Sequence, residues 1–141
     1  MIKGLVALSV FLLFVLAFGG FLGGFALLAD PTGALVGFPD TMIDRLPVST
    51  YTWPAVFLVV MFGMVPAYTG LRLSRALFSD LQLLPNILAM LIISVIYLGW
   101  LSLQVYLLGW GHYIQILAVI LGILLLITGL VLYIADKQTE R

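Results

Sequence analysis

Charged residues fall in a few short clusters, and between them run four charge-free apolar stretches: residues 4–29, 54–71, 85–108 and 114–135. About 20 apolar residues cross a hydrocarbon core of about 30 Å as a helix, so each stretch is long enough to span a bilayer. The runs are continuous rather than alternating, which argues against barrel strands. The pattern predicts an all-α, polytopic membrane protein, a single domain over residues 1–141. Its four transmembrane helices form an up-down-up-down bundle, because short connections force neighbours to be antiparallel. The first run follows Met1-Ile2-Lys3, as a signal peptide would. A signal's apolar region is only about 7–15 residues, so this longer run reads as a retained span that tilts or projects beyond the membrane.

Between the spans, residues 30–53 form a long outer connection. Asp30, Pro31 and Gly33 stand at the positions a type I turn favours. Between Pro39 and Pro47 there is room for one or two helical turns, capped by Asp40 and carrying Met42, Ile43 and Leu46 on one apolar side. This short helix is expected to lie flat on the membrane or to close the outer end of the bundle. Tyr51, Trp53, Trp110 and Tyr113 then supply an outer aromatic belt. With Lys3, Arg72, Arg75, Lys137 and Arg141 inside and only Arg45 outside, the positive-inside bias puts both termini in the cytoplasm. In the inner connection, residues 72–84, leucines alternate with Arg72, Arg75 and Asp80. The arginines there are expected to snorkel to anionic headgroups.

Composition sharpens the class. Apolar residues make up 64% of the 141, charged residues 9%, and six basic residues balance six acidic ones. So much apolar surface cannot be hidden in a soluble chain of this size. Zero net charge excludes a basic nucleic-acid binder, and the absence of cysteine excludes disulfide scaffolds, zinc-thiolate sites and thiol redox chemistry. The lipid bilayer is thus the first partner.

Within the spans, Gly19, Gly20, Gly23 and Gly24 make two interleaved small-xxx-small pairs, which let another backbone come close. Packing within one bundle is the favoured reading, a homodimer seam the sharper one. Gly63 with Ala67, and Ala118 with Gly122, offer similar grooves. Pro66 leaves the Phe62 carbonyl without its helical donor, which predicts a kink, with Thr69 near enough to help. In the third span Ser94, Tyr97, Leu101 and Gln104 recur at three- and four-residue steps and share a face. A phenol and a carboxamide at that depth turn inward, either as glue between helices or as the lining of a small polar pocket. No ionisable side chain other than tyrosine lies deep in a span, which argues against a proton-driven carrier. Asp30, Asp40, Asp44 and His112 share the outer face but show no recognised metal-ligand spacing, and no nucleophile–base motif accompanies them. No metal site and no cofactor are assigned, and no intramembrane histidine pair is present to hold a b-type haem.

The stretch Leu27-Leu28-Ala29-Asp30-Pro31-Thr32-Gly33, with Gly37-Phe38-Pro39 and Tyr51-Thr52-Trp53-Pro54, resembles small prokaryotic four-helix membrane proteins that carry a D-P-x-G turn after helix 1. In helix number the chain is also similar to the DoxX-like proteins. The resemblance implies a bacterial or archaeal inner-membrane location and brings no catalytic residues with it. The leading expectation is a non-enzymatic accessory or assembly subunit, acting through helix–helix and outer-loop contacts with a second copy or other membrane subunits. The rival is a protein that binds or transports a lipophilic or small neutral solute through a cavity lined by Tyr97, Gln104, Ser94 and the Pro66 kink. A third reading, an outer-face enzyme using Asp30, Asp44 and His112, requires those groups to converge.

Overall fold

A computed structural model describes residues 1–79, 82–110 and 113–141, and among these the chain is all-helical, with no strand. The helices are α1 (Ile2–Ala29), α2 (Asp40–Ile43), α3 (Thr52–Arg75), α4 (Leu84–Leu108) and α5 (Tyr113–Thr139). All but α2 are long and apolar enough to cross a membrane, which makes this a multi-pass membrane protein. Asp80, Leu81, Gly111 and His112 lie outside the described residues, so the connection over residues 72–84 is followed only in part.

Helix ends run past the apolar runs that announced them. α3 continues through Arg72 to Arg75, and α5 continues through Asp136 and Lys137 to Thr139, where Lys137 pairs with Glu140 at 3.3 Å. Hydropathy marks the part of a helix that suits lipid. The backbone ladder goes on wherever good helix formers follow. The short α2 differs from expectation in its cap. Pro39, not Asp40, stands before its first residue, no side chain caps it, and Asp40 lies inside the first turn. Its one buried residue, Met42, packs with Leu27, Tyr51 and Ala55, which sets α2 against the end of α1 and the start of α3.

The interior is apolar, and much of the surface is too. Leu13, Phe62, Leu73, Met90, Leu125 and Leu132 are fully buried, while Phe11, Phe18, Leu22, Ile92 and Ile123 stand exposed. α1 packs against α3 and α5, α5 packs along α4, and α3 touches α4 more lightly. Gly20 and Gly24 explain the close approach of α1 to α3. A Cβ on Gly20 would run into the Phe62 backbone, with Gly63 N at 2.7 Å, and one on Gly24 would meet Val59 and, at 3.0 Å, the Ala55 carbonyl. In the other direction, a Cβ on Gly63 would press on the Phe21 ring at 2.8 Å.

Pro66 does not simply bend its helix. The seven residues before the helix resumes, Leu58–Met64, are π-helical, and the Val65 N–H donates to the Val60 carbonyl five residues back. The α-helical ladder restarts at Val65, with Pro66 in its first turn. Thr69 gives its hydroxyl to the Val65 carbonyl at 2.9 Å rather than to Phe62. The widened turn brings Phe62 and Gly63 inward against α1, where both are buried.

Candidate functional site

Hydroxyls in the helices mostly bond to the backbone of their own helix. Ser9 donates to Leu5, Thr69 to Val65, Ser102 to Leu98 and Thr128 to Leu124, each four residues back, and Ser94 donates to Leu91 at 2.8 Å. Ser94 is fully buried and needs no partner on another helix. Tyr97 and Gln104 differ. Among the described residues neither side chain finds a hydrogen-bond partner, and both line a groove of about 260 Å³ between α1, α3, α4 and α5. Gly19, Gly20 and Gly23 make its α1 wall, Leu58 and Phe62 its α3 wall, and Ile114, Ala118 and Leu121 its α5 wall.

The structure therefore brings Tyr97 and Gln104 together and keeps Ser94 and Pro66 apart from them. Pro66 is buried on the far side of the π segment and does not line the groove. The four glycines of α1 divide by face. Gly20 and Gly24 are used up against α3, whereas nothing comes within 4 Å of a Cβ on Gly19 and only the Leu58 side chain reaches Gly23, at 4.0 Å.

An aromatic cluster forms part of the groove wall. The Phe62 ring packs edge-on against Tyr97 at 5.1 Å and against Phe57 at 5.4 Å, and Trp100 stacks at a tilt on Phe57 at 5.1 Å. Trp100, Leu58 and Gln104 form a partition, with the groove on one side and a second, smaller chamber of about 70 Å³ on the other. The chamber is walled by Leu27, Pro54, Leu103 and Leu107 and roofed by Phe38, Met42 and Leu46 from the 30–53 loop.

Tyr51 also lines this chamber, and it corrects the expected aromatic belt. It is only 2% exposed, while Trp53, Trp110 and Tyr113 remain well exposed. Its ring lies 5.2 Å from Phe38 and close over Gly33, whose φ of +79° and lack of a side chain leave the room. Its hydroxyl is buried and, among the described residues, has no hydrogen-bond partner. Burial pushes the phenol pKa above its ordinary value, and the nearby carboxylates of Asp40 and Asp44 push the same way. The signal for this inward turn was present in the sequence. Tyr51 and Trp53 are two residues apart at a helix start, about 200° around the helix, so they cannot both face lipid.

The roof is held by polar bonds at its base. Gly33 N–H donates to the Asp30 carbonyl at 3.1 Å and closes the expected turn. The Asp30 carboxylate accepts from the Thr32 hydroxyl, the Leu35 N–H and the Thr32 N–H, which holds its pKa below the usual value. Tyr51 N–H donates to the Pro31 carbonyl, and the Arg45 guanidinium reaches the Leu107 carbonyl at the end of α4. Asp30 thus has a structural role in the turn, and another of the candidates grouped with it, His112, lies outside the described residues. Among the described residues no three His, Cys, Asp or Glu side chains gather as a metal site.

Compared with protein-family models, curated proteins and solved structures, the chain matches none of them. The fold therefore defines a class, a four-span multi-pass membrane protein, and the functional reading rests on the geometry of this chain alone.

Proposed function

We propose that this chain binds a lipophilic or small neutral solute in the groove beside Tyr97 and Gln104. The observation that carries the reading is the pair of unpartnered polar side chains on an open groove wall, among helices whose hydroxyls bond to their own backbones. A polar group facing an apolar recess without a partner costs about 1–3 kcal/mol, and a ligand with matching polar atoms removes that cost. The groove carries no charge, which suits an uncharged guest. The setting we propose is a prokaryotic cytoplasmic membrane with an up-down-up-down topology and both termini inside, supported by five basic residues on one side against Arg45 on the other. In that setting α2 and the 30–53 loop cap the outer end.

The test is native mass spectrometry of the protein extracted from its own membrane. The wild-type chain is expected to carry additional small-molecule mass, and Gln104→Leu and Gly19→Leu are expected to lose it. A wild-type chain that flies bare in every mild detergent removes the reading.

One observation favours the second reading, an accessory subunit or homodimer. The Gly19 edge of α1 is bare, flanked by exposed Phe18 and Leu22, and has the form of a helix-docking strip. Because the natural chain has no cysteine, Gly19→Cys places a single thiol there. Rapid disulfide dimerisation in native membranes supports this reading, and purely monomeric protein counts against it.

A further inference from the structure

We infer that the groove is filled sideways from the bilayer, through the slit between α1 and α5, by a neutral lipid whose head carries both hydroxyl and ester oxygens. This inference rests on the proposed binding in the groove and adds the route and the class of guest. The route follows from which walls are closed. Trp100, Leu58 and Gln104 separate the groove from the space under the 30–53 loop. Towards the N-terminus of α1 and the C-terminus of α5, the bundle is filled by Leu12, Leu13, Leu125 and Leu132, all buried. The remaining lips stand open: Val15 is 41% exposed, Ile114 is 63% exposed, and nothing comes within 4 Å of a Cβ on Gly19. What surrounds an exposed apolar lip on a membrane-spanning helix is lipid, not water.

The class follows from the polar groups to which the slit leads. No ionised side chain lines the groove, so a charged head would be buried there without a counter-ion. The Gln104 carboxamide both donates and accepts, and so does the Tyr97 hydroxyl. Neither has a partner among the described residues. Two helical turns, about 10 Å, separate them along α4. A hydrocarbon chain satisfies neither group, and a lone carbonyl satisfies only one. A glycerol monoester offers hydroxyls at one end of its head and an ester carbonyl at the other, so it reaches both. Its tail then leaves past Gly19 and Gly23, where the absence of side chains gives a hydrocarbon chain room against the α1 backbone. A tailless solute leaves that strip uncovered.

Trp100 lies in the groove wall and reports on its contents. The chain has three tryptophans, and Trp53 and Trp110 are exposed outside the groove, so Trp53→Phe with Trp110→Phe leaves Trp100 alone. That full-length double variant, reconstituted in vesicles, is titrated with dibromostearoyl glycerol and with dibromooctadecane, which has a matching tail and no oxygen. The glycerol ester is expected to quench Trp100 at about tenfold lower membrane concentration, within the reach of two net hydrogen bonds. Adding Gln104→Leu is expected to bring the two quenchers level, and adding Gly19→Leu to weaken quenching by both. Aqueous acrylamide is expected to leave Trp100 bright. Equal quenching by the two probes, or an ester preference that survives Gln104→Leu, overturns the lipid class; strong quenching by acrylamide overturns the route. If native mass spectrometry instead finds a tailless guest that Gln104→Leu loses, the groove reading stands and this inference falls. A chain that flies bare removes both.

Discussion

Neighbouring glycines on α1 have opposite fates, and the difference is a distance. At Gly20 a side chain has nowhere to go, because the α3 backbone at Phe62 and Gly63 is already there; at Gly19 there is open space. Gly20→Leu is therefore expected to destabilise the bundle by the upper end of the roughly 1–3 kcal/mol usual for overpacking, or more. Gly19→Leu is expected to be neutral or slightly stabilising, since leucine gains about 1 kcal/mol of helix propensity over glycine. Thermal unfolding in detergent or steric-trapping measurements would separate the two. The sequence shows four equivalent glycines; only the facing helix makes them unequal. Asp30 makes a second residue-scale case. Its folded pKa lies below the ordinary value of 3.8, so its turn bonds stabilise the loop above that value and are lost as pH falls through the lower, folded one. Protection of the Leu35 amide, its exchange measured relative to the intrinsic rate at each pH, is expected to fall in that acid range in the wild-type chain. In Asp30→Asn it is expected to lose that dependence on pH.

At the level of the element, Pro66 and the π segment before it are one device. A proline inside a regular helix costs about 3 kcal/mol. Here the register shifts to i−5 over Leu58–Met64 and the α-helical ladder begins again at Val65, so Pro66 occupies a first-turn position. Pro66→Ala is therefore expected to change stability by less than about 1 kcal/mol, read by unfolding in SDS. If the alanine variant gained the full penalty back, Pro66 would be a strained interior proline after all. The sequence announced a break near Phe62 but not its form, because π and kinked α ladders differ in which carbonyl each N–H reaches, and the choice depends on what packs outside. Here Gly63 against the Phe21 ring and Phe62 against Tyr97 reward the wider turn. Ser94 shows the same dependence. Its share of the inward face was readable from its spacing, but its bond to Leu91 leaves it with nothing to offer a ligand.

For the molecule as a whole, topology is the property easiest to test. Single cysteines at Thr32 and Gln138 are expected to behave oppositely towards a membrane-impermeant maleimide. The first should react in intact cells and the second only after permeabilisation; the reverse pattern overturns the proposed orientation. The four long apolar helices were legible in residues 4–29, 54–71, 85–108 and 114–135, because a hydrocarbon slab some 30 Å thick imposes a minimum run length that no tertiary contact alters. Turn chemistry at Asp30–Gly33 was legible for a similar reason: it is settled by side chains within a few residues of one another. What the sequence could not decide was which polar side chains are left over once the helices have packed. Tyr97, Gln104 and Ser94 share one face, yet only the first two open on the groove. Tyr51 was expected beside Trp53 in a belt, yet it turns under a roof made by Phe38, Met42 and Leu46. Those outcomes depend on distances between segments far apart in the chain, which the bilayer constraint and the local patterns leave free.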